Sequence, residues 1–490
     1  MGDRSVISMT GDDGASRHRA YVLTTWLHGT GFADRIGLAG YSFDYLARLY
    51  LPLLERLGEV HWVRHPKELE PTIEQLRAKG REPVHVTFAP FYATRFTPSA
   101  PNVLVLAWEF PDIPQEEFDG NPQHNWVTTA DRCAMVLVAS PFTQDALVRG
   151  GVRVPVRVTP SPVHDDYFHM APWRPTQKTT LDYPAYVFQS TETSVLSAAG
   201  STYHRPSMGR RLKSMVRSIG RGALKSILPQ ACYRAAAAAV TTGLNELHGS
   251  ALGRCIPHWM PSPVQGVELS GVVYTSVFNP IDGRKNWEDL LTGFMLTLRD
   301  CPDATLVLKL ASKAQEPLQK IIGRIRFLGV PHRCKVVVIS EYLSDEQMRQ
   351  LTEASTYYVT TTRAEGICLP LMDYLAAGRP GIAPRHTALA DYFGPENGFV
   401  VESHPEPIFF PHDPRCRFLT SWQRIVWSSL AEQFRASYHT ATRNLAGYAT
   451  LSHQSREILR HWAGIEAVLP KLESALAEVA SMDRSCARAA

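Results

Sequence analysis

No run of apolar residues in this chain of 490 residues approaches the about 20 that cross a bilayer as a helix. The alanine-rich stretch at 235–240 is far too short. Residues 1–19 are polar and lack the apolar core of a signal peptide, so they read as a disordered N-terminus. The eight cysteines (Cys133, Cys232, Cys255, Cys301, Cys334, Cys368, Cys416 and Cys486) show no C-x-x-C spacing. They fit reduced, mostly buried thiols in a cytosolic protein better than a disulfide framework or a zinc site. No G-x-G-x-x-G register is present, and no enzymic nucleophile stands out. The net charge of +4 is too small to imply a nucleic-acid partner. What is present, 44% hydrophobic residues, suffices for two full domains with additional segments.

The C-terminal half alternates strands and helices. Strands are expected at 272–278, 306–310, 335–339, 357–361, 381–383 and 399–401. Between them lie helical stripes, one carrying Trp287, Leu290, Leu291, Phe294 and Leu298, another opened by Ser344 and Gln347 as a capping box. Such alternation argues for a parallel sheet. The N-terminal half repeats this pattern more loosely. Strands are expected at 21–26, 103–106, 134–139 and 156–158, with a helix through Tyr45, Leu46, Leu49 and Leu53. A loop containing Gly29, Gly31, Gly37 and Gly40 follows the first strand.

Two turns carry chemistry. The first follows the strand at 272–278 and reads Asn279-Pro280-Ile281-Asp282-Gly283-Arg284-Lys285, with Asn286 as an expected N-cap and Asp289 three positions on. It holds two cations at a strand's C-terminal edge, where open α/β sheets bind ligands. Arginine grips phosphate oxygens with a planar fork, and lysine adds a point charge. The second turn reads Arg363-Ala364-Glu365-Gly366-Ile367-Cys368-Leu369-Pro370-Leu371-Met372-Asp373. Pro370 suits the first turn of a helix that Gly378 stops. Residues 366–369 then present unpaired amides and a helix N-terminus to an anion. Glu365 stands at the mouth, and Asp373 lies eight residues on, one turn into the helix. Taken singly, either turn is also compatible with an ordinary solvated loop.

Together, in this order and spacing, the two turns resemble the retaining glycosyltransferases of family 4, which have the GT-B fold. The resemblance is close over residues 268–402, weaker over 20–165 and absent over 170–265. It implies that Lys285 and Arg284 bind the donor diphosphate, with Asn279 and residues Gly366, Ile367, Cys368 and Leu369 lining the same site. It implies that Glu365 contacts the transferred sugar and Asp373 the nucleotide ribose. Two departures stand out. Asp373 is one methylene shorter than the glutamate usual there. The family's arginine lies several residues before its lysine, where this chain has Pro280, so Arg284 is expected to substitute.

Glu109 ends the strand at 103–106. It is expected to face the cleft and orient or deprotonate the acceptor hydroxyl, or else to serve as a helix cap or ion pair. His386, Thr387 and Ala388 open a further helix near the donor, unless His386 sits in a surface loop. His412 and Asp413 are expected to order a proline-rich turn. Within residues 171–265, Lys213, Arg217, Arg221 and Lys225 form a basic stripe opposite Leu212, Val216, Ile219, Ala223 and Ile227. A helix over 210–228 would either lie on an anionic membrane or pack on the protein itself.

The fold expected is α/β, with two doubly wound Rossmann-like domains facing a cleft and a helical or irregular insertion between them. The boundaries are 1–19, a disordered N-terminus; 20–170, an acceptor domain; 171–265, the insertion; and 266–450, a nucleotide-sugar domain. A helix at 451–480 is expected to cross back to the N-terminal domain, ahead of a frayed tail at 481–490. The expected activity is metal-independent, cofactor-free, retaining transfer of a sugar from a nucleoside diphosphate to a glycan or lipid-linked glycan. It would take place in the cytoplasm, with polysaccharide biosynthesis as its setting and the inner membrane face as a second location. Alternatives are a nucleotide-sugar epimerase of the same fold and a non-catalytic nucleotide-sugar-binding scaffold.

Overall fold

The computed structural model describes residues 18–27, 40–189, 261–312 and 314–489, with side chains to residue 482. Six strands build a first sheet: β1 (Arg19–Thr25), β2 (Glu59–Trp62), β3 (Glu82–Phe88), β4 (Asn102–Leu106), β5 (Met135–Val138) and β6 (Val156–Val158). Their order is β2-β1-β3-β4-β5-β6, and every pairing is parallel. Helices α1 (Tyr41–Leu57), α2 (Leu69–Ala78), α3 (Trp126–Ala130) and α4 (Pro141–Arg149) connect them, and α5 (Asp165–Phe168) follows β6. The inner strands β1, β3, β4 and β5 are buried on both faces, and the runs of Val and Leu in β4 and β5 reflect that.

The second sheet contains β8 (Tyr186–Phe188), β10 (Val272–Phe278), β11 (Ala304–Leu310), β12 (Lys335–Ile339), β13 (Tyr357–Val359), β14 (Gly381–Pro384) and β15 (Gly398–Val401). Its order is β15-β14-β13-β10-β11-β12-β8. Only β8 runs antiparallel, along the free edge of β12. Helices α6 (Trp287–Thr297), α7 (Gln315–Leu328), α8 (Asp345–Ala354) and α9 (Leu369–Ala376) make the crossovers. The capping box of Ser344 and Gln347 is formed as expected. Gly378, at φ +68°, adopts the left-handed backbone that ends α9. The strand order reverses between β10 and β13, the place where doubly wound sheets open a crevice. The two turns singled out in the sequence follow those two strands.

Several segments differ from expectation. Residues 178–188 are not the start of an insertion. They form β7 (Lys178–Leu181), which pairs with β9 (Val267–Ser270), and β8 at the sheet edge. The helix expected from Trp422 begins at Trp427 instead. Ahead of it, β16 (Ser403–Phe409) and β17 (Leu419–Ile425) form an antiparallel hairpin. Short alternating segments with β-branched and aromatic residues take the sheet partner that lies close by in the chain. The helix expected at 455–479 is two, α11 (Leu445–Ala463) and α12 (Ile465–Ala489), separated at Gly464, whose extended backbone ends α11. Helix α12 continues to Ala489, where a frayed tail was expected from residue 481. The helix capped by Thr387 is only a 3₁₀ turn, Thr387–Asp391.

One core joins the two sheets. Leu371, Met372, Tyr374 and Leu375 of α9 share it with Leu46, Tyr50 and Leu53 of α1 and with Val468, Leu472 and Leu476 of α12. Helix α12 thus returns to the N-terminal sheet, where Glu466 pairs with Arg56 at 3.0 Å and Glu478 with Arg157 at 2.7 Å. Helix α10 (Trp427–Arg443) covers α6 and β15. No helix among the described residues is long and apolar enough to cross a membrane. The expected basic helix at 210–228 lies outside the described residues, as do Gly29, Gly31 and Gly37.

Candidate active site at the switch point

The turn after β10 is folded by its own short polar side chains. The Asn279 carboxamide accepts from the Ile281 amide at 3.1 Å, and Asp282 accepts from the Arg284 amide at 3.1 Å. Such Asx turns convert a flexible loop into a fixed one. The result is a 3₁₀ turn, Gly283–Lys285, that ends at Asn286 with φ 49°. Asn286 occupies the N-cap of α6, but its side chain makes no capping bond there. Its amide instead donates to the Thr361 carbonyl at 3.1 Å, while the Thr361 hydroxyl donates to the Asn286 carbonyl at 2.8 Å. The expected partnership with Asp289 is therefore absent, because the asparagine is used to staple the two switch-point loops together.

Side chains complete the junction. Lys285 Nζ lies 2.6 Å from Glu365 Oε1. Arg284 reaches three carboxylates: Asp282 at 2.8 Å, Glu109 at 3.2 Å and Glu365 at 3.5 Å. It also donates to the Ala364 carbonyl at 2.5 Å. Glu109, at the end of β4, thus brings the N-terminal sheet into the cluster. Of its two expected alternatives, the ion pair is present. Burial alone would raise the Glu365 carboxyl, but Lys285 and Arg284 outweigh it and hold the group below the ordinary range. Burial pushes Glu109 the other way, above the ordinary range, against the pull of Arg284 and with the repulsion of Asp282 and Glu365. Two carboxylates close together are thereby set to different proton affinities.

The amides of Gly366, Ile367 and Cys368 donate no hydrogen bond to any described residue. Cys368 has φ 61° and precedes α9, with Pro370 in the first turn. Its thiol is buried and pushed up to about 12 chiefly by burial, so it stays protonated. Gly366 is needed for contact rather than for conformation. A Cβ there would stand 2.8 Å from the Trp108 amide nitrogen. The donor-side loop therefore lies directly on the backbone that carries Glu109.

His386 is a buried strut and not a surface histidine. Its Nε2 is 3.1 Å from the Thr362 carbonyl and its Nδ1 is 3.2 Å from the Thr387 hydroxyl. A carbonyl only accepts, so Nε2 carries the proton and Nδ1 accepts from Thr387. Thr387 Oγ1 in turn accepts from the Glu365 amide at 3.1 Å. Burial lowers His386 to about 4, which keeps the ring neutral. Thr387, a β-branched residue, has φ 50°. With Asn286 and Cys368 it makes three left-handed non-glycine backbones bordering one crevice, and such strain is held at sites that use it.

Asp373 lies one turn into α9, 8% exposed, and is not among the carboxylates that pair with Arg284 and Lys285. Asp413 organises the end of the hairpin, accepting from the amides of Arg415 and Phe418, each at 2.9 Å. Phe410 of the hairpin packs on Trp108 and Phe110. Asp282 and the Thr387 strut were not singled out by sequence reasoning. An Asp two residues before the amide that its side chain can bind, next to a glycine, is an Asx-turn signal that would have found the first. Nothing local marks the second.

No protein-family model and no curated protein matches this chain by sequence. Solved structures do. The sucrose-phosphate synthase of Thermosynechococcus elongatus is 13% identical, with a TM-score of 0.52 over 95% of this chain and 100% of that one. The α,α-trehalose 6-phosphate synthase of Burkholderia multivorans is 12% identical, with a TM-score of 0.49 over 96% and 100%. HepE of Anabaena, solved with UDP and glucose, is 12% identical, with a TM-score of 0.47 over 94% and 100%. The end-to-end likeness to the first of these establishes the architecture built up above: the chain has the GT-B fold, two Rossmann-like domains about one cleft.

Proposed function

We propose that this chain is a glycosyltransferase of the family 4 kind. It takes a hexosyl group from a nucleoside diphosphate sugar and passes it to a hydroxyl of a glycan or lipid-linked glycan, with retention and without a metal. One observation carries the reading. Arg284 and Lys285 from the loop after β10 meet Glu365 from the loop after β13, beside three undonated amides. Pairs of cations with preorganised N–H groups stabilise the negative charge that develops on a departing diphosphate. In the step proposed, the bond between the anomeric carbon and the phosphate oxygen breaks, and its electron pair leaves with the diphosphate. The acceptor oxygen bonds to the anomeric carbon on the same face. Its proton passes to Glu109, whose burial gives it a higher proton affinity than Glu365. Glu365 holds the sugar, and contact between the two domains keeps water from competing.

The test is nucleotide release from a panel of nucleoside diphosphate sugars, with and without glycan-lipid acceptors. Acceptor-dependent release is expected. Acceptor-free isomerisation would make the chain an epimerase, and absence of donor binding would leave a scaffold. Lys285→Ala is expected to lower kcat by roughly 10²–10³-fold, the cost of removing one preorganised charge-stabilising donor. Near-normal turnover in that variant would refute its role.

A further inference from the structure

Three adjacent strands of the first sheet end side by side. Thr25 of β1 pairs with Phe88 of β3, and Phe88 with Val105 of β4. Beyond that row, in the same order, come Trp26, Tyr92 and Glu109. The Trp26 amide donates to the Phe88 carbonyl at 3.1 Å. The strand order reverses between β1 and β3, so this sheet opens its own crevice at these carboxyl ends. They face the second domain, where Glu109 meets Arg284 at 3.2 Å. The Trp26 and Tyr92 rings lie 5.5 Å apart at 89° and make a right-angled corner. His124 stacks on Tyr92 at 5.2 Å and 12°, and Phe118 backs His124 at 3.7 Å, so the Tyr92 ring is held in place. Both corner residues are half-buried. Their indole N–H and phenol hydroxyl bond to no described residue, and neither atom is fully enclosed. An aromatic ring with an apolar body and an unused polar tip suits a surface that is apolar on one side and wet on the other. Burial, and then the Glu109 charge, push the Tyr92 phenol up to about 12, so it stays protonated and able to donate.

We propose that Trp26 and Tyr92 are specificity residues for the acceptor, and that they select one whose receiving hydroxyl is carried by a pyranose ring. The proposal rests on the transferase reading above and extends it to the acceptor's chemical class. A pyranose presents C–H groups on a face and hydroxyls around its rim. The aromatic corner covers the C–H face, while the indole N–H and the phenol donate to rim oxygens. Trp26 and Glu109 stand two strand spacings apart, about 10 Å. A sugar ring in the corner therefore brings a rim hydroxyl within reach of the carboxylate that takes its proton. A hydroxyl on an alkyl chain or a small polyol has no rigid face to lay there, and ordering it costs more on binding. Neither ring belongs to the cluster of Arg284 and Lys285, so acceptor and donor binding are separable.

The experiment measures nucleotide release by the full chain from UDP-glucose, GDP-mannose and ADP-glucose. Methyl glycosides of glucose, galactose and mannose serve as acceptors, against glycerol and octanol. One of the glycosides is expected to speed release about tenfold or more beyond either alcohol. Tyr92→Phe should raise that glycoside's KM by about five- to tenfold, the worth of one hydrogen bond. Trp26→Ala should raise it by about tenfold or more, and Trp26→Phe, which keeps a ring, should recover part of the loss. None of these changes should move the Kd of UDP, GDP or ADP, read by calorimetry. If Trp26→Ala is poorly folded, Tyr92→Phe decides, because it keeps the ring and its packing. Three results each overturn this inference while nucleotide binding leaves the donor site standing: release that no glycoside stimulates, equal stimulation by an alcohol, or an unaltered glycoside KM in the variants. A wild type that binds none of the three nucleotides overturns both readings.

Discussion

His85 shows how a single side chain couples this fold to pH. It lies in β3, fully buried, 2.8 Å from the Thr24 hydroxyl and 2.9 Å from the Asn102 carboxamide oxygen. Burial lowers it to about 4 from the ordinary 6.5. In the window between those values the unfolded chain binds the proton and the folded chain does not. The histidine's contribution is therefore complete above pH 6.5 and is lost as pH falls toward 4. Denaturation at pH 7 and at pH 4.5 should differ by roughly 2–3 kcal/mol on its account, and His85→Gln should flatten that difference. Gly366 makes a steric prediction. Because its neighbour is the Trp108 backbone, Gly366→Ala cannot be absorbed by a side-chain rotation. It should part the two loops, lower kcat/KM by tenfold or more, and cost about 1–3 kcal/mol of stability. Residue identity made Lys285, Arg284 and Glu365 legible, since each sits in a turn whose local rules are strict. His386 was not legible in that sense, because its significance comes from what lies across the loop, which no local spacing encodes.

Among elements, the hairpin of β16 and β17 was the largest surprise. Its strands follow β15, the last parallel strand of the second sheet, and precede a long helix, so Trp422 reads naturally as part of a helical stripe. The competing signal is the run Pro411 to Pro414, which forces a turn, and the pairing of Ser403 with Ile425 through Phe409 with Leu419 that the turn permits. The hairpin ties several parts together. The Gln423 amide donates to the Arg363 carbonyl at 2.8 Å, and the Arg363 guanidinium lies 4.6 Å from the Trp422 ring centre. Thr420 donates to Asp112 at 3.0 Å, and Arg415 pairs with Glu116 at 3.1 Å. Phe410, 3% exposed, anchors it in the core of the N-terminal sheet. Phe410→Ala should cost about 3–5 kcal/mol, the usual loss for a buried aromatic, read from denaturant midpoints. Asp413→Ala should unfasten the turn, and Asp413→Asn should recover part of the loss, because an amide oxygen still accepts from the Arg415 and Phe418 amides. The strands and crossovers of both sheets were legible from periodicity almost throughout. Their termini shifted by a few residues, as helix and strand ends do when packing sets the final turn.

At the scale of the molecule, the passages between the domains are clamped by two arginines, one buried and one half-buried. Arg379, 0% exposed, donates to the carbonyls of Ala171, Thr352, Glu353 and Ala377. Arg456 donates to Met170, Ala376 and Ala377. Both hold the chain leaving the first sheet against the end of α9. Arg379→Met removes the donors from four carbonyls and should destabilise the chain by about 3 kcal/mol or more. A nucleoside diphosphate at 100 times its Kd should stabilise the folded chain by about 2.7 kcal/mol, seen as a rise in the thermal midpoint that Lys285→Ala abolishes. The same clamps and the core around α9 tie the two halves together. That gives the cluster around Arg284 its meaning. Three acidic side chains already surround two basic ones, and the protein therefore supplies its own counter-ions. Arrival of a diphosphate is an exchange of one set of anions for another, with little net change in charge neutralisation. Affinity for the nucleotide product should accordingly be modest, and the returning glutamates would help to expel it after each turnover.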